Sequence, residues 1–174
     1  MSSRVFVSLC FAALSGCGVA ARVGAGLGGN SANYAPQAAA TVGVAAGSST
    51  LNLLAGVTGV FGVTPRAVPV PVGHVAGLVE ATYFFTGSDD VAKWGIRGGL
   101  GVGPNFDGAR GVGWQTFARV GPLYALADAS DYLTALGLEL MIGVTGFPKA
   151  ELFWGVNLNI GWFFKVIERV PIGG

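Results

Sequence analysis

Ionisable side chains are scarce in this chain, 11% of its 174 residues, so those lying inside strongly patterned segments stand out. Glu80, Arg97, Arg119 and Glu139 each fall near the middle of a separate apolar-alternating segment, always on its small or polar face, and Asn157 holds the same phase in the last one. Two acids and two bases at matching depth could form either an ion-paired plug or a path for a proton or ion. Unpaired charge in an apolar setting is expensive, so mutual neutralisation is the expectation. His74 is the only histidine. As a catalytic base it would need a nucleophile within reach, but no serine shares its phase nearby, and Ser88 lies in a turn signal. Both cysteines, Cys10 and Cys17, lie near the N-terminus, so the remaining chain has no thiolate pair for a metal. Gly98–Gly103 is glycine-rich but lacks the Lys-Ser/Thr of a phosphate loop. We therefore expect no catalytic residue, no metal and no cofactor.

The segments carrying these residues alternate with a period of two, which separates the two faces of a strand. The last segment is the clearest. Leu152, Trp154, Val156, Leu158, Ile160, Trp162 and Phe164 occupy one face, against Glu151, Phe153, Gly155, Asn157, Asn159 and Gly161 on the other. The same contrast sets Trp94, Ile96 and Leu100 against Arg97 and glycines, and Leu136, Leu138 and Leu140 against Gly137 and Glu139. Strands are predicted over roughly 21–28, 38–47, 51–63, 72–85, 92–103, 112–126, 132–145 and 150–165. The first is the least patterned, with Val23, Ala25 and Leu27 opposite Arg22 and glycines. Turn signals separate them, leaving connections at Asn30–Gln37, Thr64–Pro71, Pro104–Arg110 and Gly146–Lys149. A helical reading of the uncharged stretch Ala38–Pro65 is interrupted by Gly47-Ser48-Ser49.

Composition decides which face meets what. Hydrophobic residues make up 52% and there are 30 glycines, while soluble domains carry roughly 25% charged residues. In a soluble barrel or sandwich the face opposite the core would be crowded with polar side chains; here it is mostly glycine. An apolar exterior around a narrow glycine-lined interior fits a membrane barrel of eight strands. Trp94, Trp114, Tyr124, Tyr132, Trp154 and Trp162 fall on the apolar face, several near strand ends, as interfacial aromatics do. A net charge of +1 gives no footprint for nucleic acid.

Strand number, length and patterning resemble the small eight-stranded outer-membrane barrels of the OmpA and OmpX type. That resemblance covers most of the chain and is architectural. Asn159-Ile160-Gly161-Trp162-Phe163-Phe164-Lys165-Val166 is similar to the signal by which barrel-assembly machinery recognises a last strand, although Ile167–Gly174 follows it here. Residues 1–16 read as a signal peptide, and Leu14-Ser15-Gly16-Cys17 resembles the lipobox of bacterial lipoproteins, which implies lipidation at Cys17; ordinary cleavage near Ala20 or Ala21 is the alternative. The expectation is thus one all-β domain over 17–174, a closed antiparallel up-and-down transmembrane barrel. It would act without catalysis as an anchor, adhesion element or subunit of an envelope assembly. Its expected partners are outer-membrane lipid, the assembly machinery and other envelope proteins. The competing reading is a soluble, lipid-anchored barrel or sandwich that holds an apolar ligand in the periplasm.

Overall fold

The computed structural model describes residues 16–30, 34–47, 51–65, 68–85, 93–128, 132–146 and 149–167. Residues 1–15, which hold most of the expected signal peptide, Ser88 and parts of several connections lie outside them. Eight strands run in chain order: β1 (Gly16–Asn30), β2 (Tyr34–Gly47), β3 (Leu51–Thr64), β4 (Val70–Phe84), β5 (Trp94–Asp107), β6 (Gly111–Asp128), β7 (Tyr132–Gly146) and β8 (Ala150–Ile167). Each pairs antiparallel with the next, and β1 closes on β8 through a register that includes Val23↔Ile160 and Leu27↔Val156. The fold is a closed antiparallel up-and-down barrel. The stretch weighed as a helix is β2 and β3, with the intervening Gly47-Ser48-Ser49 at their junction. Because the strand number is even, Gly16 and Ile167 share one end, here the terminal end. The β1–β2, β3–β4, β5–β6 and β7–β8 connections share the other, the turn end.

Strands extend further than the sequence pattern suggests, and two of the expected connections shrink. Connections are expected at Asn30–Gln37 and Pro104–Arg110, yet β2 begins at Tyr34 and β5 runs to Asp107, through Pro36 and Pro104. Proline lacks the N–H that a ladder needs. Pro104 nonetheless pairs with Trp114 of β6, and its pairing with β4 lapses between Gly77↔Val102 and His74↔Asn105. Pro122 behaves alike: it faces Ile96, while the β6–β7 register skips from Val120↔Leu140 to Leu123↔Gly137. The strand keeps its course at the cost of one missing rung on one side. Gly111, at φ 92°, makes the β5–β6 turn, a conformation that other residues rarely adopt.

The apolar face points out. Leu158 is 56% exposed and Leu100 63%, whereas Arg119 and Glu139 are 5% and 7% exposed. Large exposed aromatics gather towards both ends, with Tyr34, Phe61, Trp114 and Trp154 nearer the turn end and Tyr83, Trp94 and Phe164 nearer the terminal end. Trp94 and Tyr124 lie with ring centroids 4.9 Å apart. The interior is not lined by glycine and charge alone. Ala76, Leu78, Phe117, Met141 and Phe153 form an apolar collar on the turn-end side of the charges, and Phe84, Leu123, Ala125 and Ala135 form a second cluster towards the terminal end. Gly101 and Gly143 make room for the collar, because a Cβ at either would overlap the ring of Phe117 or Phe153.

Candidate functional site

The lumen contains two polar layers separated by the apolar collar. Along β4 the inward residues run His74, Ala76, Leu78, Glu80, Thr82 and Phe84, so the order of layers can be read from a single strand. Glu80 is the hub of the middle layer. It accepts from both ends of the Arg22 guanidinium, Nη1 to Oε1 at 3.2 Å and Nη2 to Oε2 at 3.0 Å. Arg119 Nη2 reaches Oε2 at 2.5 Å, and Arg97 Nε lies 3.2 Å from Oε1. Three guanidinia thus converge on one carboxylate. Glu139 is held less closely, 3.6 Å from Arg119 and 3.7 Å from Arg22.

Hydroxyls and amides complete the layer. Thr41 Oγ1 accepts from Arg22 and donates to Thr58, which donates in turn to the carbonyl of Ala40. Arg97 donates to Asn159 Oδ1 at 3.1 Å. Of the residues singled out from the sequence, Glu80, Arg97, Arg119 and Glu139 therefore meet in one cluster. Asn157 is buried on the same wall at 3% exposure, but its Oδ1 has no hydrogen-bond partner among the described residues; Asn159 is the amide that binds an arginine.

The expected balance of two acids and two bases needs correction. Arg22 joins the cluster, so three arginines face two glutamates, a net of one positive charge. Sequence reasoning put Arg22 on the inner face but not in the network, because β1 is too rich in glycine and alanine for its contrast to carry weight. A small cavity of about 10 Å³, roughly the space one water needs, lies between this layer and the collar, lined by Arg22, Arg119, Glu139, Phe117 and Met141 among others.

Two layers towards the turn end lies a different arrangement. A cavity of about 110 Å³ is lined by Gln37, His74, Asn105 and Gln115, with Phe106 and Phe153 among its walls. His74 packs against Phe117 and Phe153 at centroid distances of 5.3 and 6.4 Å. Gln37 Oε1, His74 Nε2, Asn105 Oδ1 and Gln115 Nε2 are all buried without a hydrogen-bond partner among the described residues. At the rim Arg110 pairs with Glu151 at 2.6 Å and with Asp107 at 3.7 Å, and Asn30 donates to Glu151. The sequence pointed to His74 alone; Gln37 and Asn105 fell in expected connections, and Gln115 carried no signal beyond its phase. No catalytic constellation is assembled among the described residues, and no three potential metal ligands cluster there.

At Cys17 the structure gives the backbone: it pairs with Ala46 in β2 and Ile167 in β8, beside a bulge at Cys17/Gly18.

No protein-family model matches the chain, and no curated protein matches it. Solved structures do. The crystal structure of Neisserial surface protein A is 14% identical, covering 87% of this chain and 98% of that one with a TM-score of 0.68. The N-terminal β-barrel domain of Pseudomonas aeruginosa OprF is 15% identical, covering 83% of this chain and 97% of that one with a TM-score of 0.42. At its identity the first likeness establishes a shared barrel fold and carries no function across.

Proposed function

We propose that this chain is a non-enzymatic outer-membrane barrel that serves as an anchor, adhesion element or subunit of an envelope assembly, with side chains plugging its lumen. The observation that carries this reading is the inversion of the barrel: leucines, valines and tryptophans cover its outside while arginine and glutamate are buried. Only a solvent of acyl chains makes that distribution favourable. The ion-paired layer then acts as a structural plug, in which every buried charge lies within ion-pair distance of an opposite one although the layer as a whole keeps one positive charge. Lipidation of Cys17 would add a second hold on the bilayer, and the assembly machinery would read the last strand, β8. The short turn-end connections would face outward, where envelope partners bind.

The competing reading, a soluble lipid-anchored protein, fails on the same exposed surface, and extraction separates the two. Membranes carrying the Cys17→Ser variant are washed with high salt and alkali and then treated with detergent. An embedded barrel stays with the membrane until detergent is added, with or without the acyl chains. Release of the variant into the aqueous wash would overturn the proposal.

A further inference from the structure

Four residues that line the turn-end cavity each carry a buried polar atom without a hydrogen-bond partner among the described residues, and the chemistry of those atoms is mixed. Gln37 and Asn105 present carbonyl oxygens, Gln115 presents an amide nitrogen, and His74 presents an imidazole nitrogen. His74, Asn105 and Gln115 are 5%, 4% and 4% exposed, so bulk solvent does not bathe these groups. A metal or ammonium ion would call for acceptors alone, and an anion for donors alone. A hydroxyl group donates and accepts, and it answers both kinds at once. At the rim Arg110 is paired with two acids, Asp107 and Glu151, so it does not attract an anion. Phe106 and Phe153 supply flat apolar walls of the kind that the C–H face of a sugar covers.

We propose that this cavity binds the hydroxylated edge of an uncharged sugar or polyol, with Gln37, His74, Asn105 and Gln115 as its hydrogen-bonding set. Its volume of about 110 Å³ admits one edge of a sugar ring or a three-carbon polyol, and the rest of a larger ligand would project through the mouth. Met141 and Phe153 of the apolar collar line the cavity, and the collar stands between it and the charged layer. This inference rests on the cavity and holds whatever partner the barrel has in the envelope. A free small polyol and a saccharide chain at the surface offer the same chemistry.

The test uses the folded barrel in micelles of an amine-oxide detergent, which has no sugar headgroup to compete. Side-chain amide signals of Gln37, Asn105 and Gln115 are followed by NMR during titration with glycerol, glucose and a neutral trisaccharide. Saturable shifts are expected, with half-saturation at about millimolar ligand. Gln115→Leu should weaken binding by about tenfold or more, the cost of one lost hydrogen bond in a dry site. If that variant does not fold, Asn105→Leu and Gln37→Leu make the same comparison. Saturation by glycerol would assign a free polyol, and saturation by the trisaccharide alone would assign a chain. Shifts that rise linearly without saturating, or that persist unchanged in the leucine variants, would overturn the proposal and leave ordered water as the only occupant.

Discussion

In the middle of the lumen Glu80 is ion-paired with three arginines and accepts hydrogen bonds from Arg22 and Arg119, while two layers nearer the turn end Gln37, His74, Asn105 and Gln115 have no ion pair among the described residues. Each region leaves four buried polar atoms without a hydrogen-bond partner among the described residues, those of the middle layer being Arg97 Nε, Arg119 Nε, Glu139 Oε2 and Asn157 Oδ1. Both regions are polar, buried and surrounded by the same eight strands. They differ in what their groups face. The charges face one another as ion pairs, and the amides and imidazole line a cavity of about 110 Å³. The first region should therefore be costly to disturb, and the second cheap.

The sharpest way to break this comparison is Glu80→Leu. Removing the hub leaves three guanidinia with only the loosely held Glu139, and about 3–5 kcal/mol of stability should be lost. Urea titration of the barrel in vesicles, read by its heat-dependent mobility on gels, measures it. Adding Arg119→Met to Glu80→Leu should restore part of the loss, because one uncompensated cation goes with it. If Glu80→Leu alone were neutral, the middle layer would not be a structural plug. Gly101→Val comes next. It forces the Phe117 ring out of the collar, and overpacking of this kind costs about 1–3 kcal/mol in the same titration. The smallest effect belongs to Asn105→Leu, expected within about 1 kcal/mol of the parent and on either side of it, since it removes an acceptor that has no protein partner. A loss comparable to that of Glu80→Leu would show that the two regions are built alike.

The strands and their inward faces were legible because alternation was strong wherever one face was bulky and the other was glycine. The inward placement of Glu80, Arg97, Arg119 and Glu139 followed directly. The membership of Arg22 did not, since β1 offers only Val19, Val23 and Leu27 as large outward residues against glycine and alanine. Layers were not legible at all. Which inward residues share a level depends on the stagger between neighbouring strands, a property of the closed barrel and not of any one segment. For that reason the place of Phe153, grouped with the residues of a small or polar face, in a collar with Phe117 and Met141 was not foreseeable. For the same reason His74 could not be linked in advance to Asn105, its partner across the β4–β5 ladder. Strand ends were misplaced in the opposite direction: β2 and β5 run through Pro36 and Pro104, which each keep a pairing on one side and lack one on the other.

The seam between β1 and β8 also sets a timetable. Arg22 and Glu80 stand 58 residues apart in the chain, on strands that come within reach only across a finished cylinder. Until the first strand docks on the last, the sheet is open and its ionic groups keep their hydration shells. Dehydration of the charges is thus deferred to the closing event, so that the hardest solvation change in this molecule coincides with the step that removes its last free strand edges.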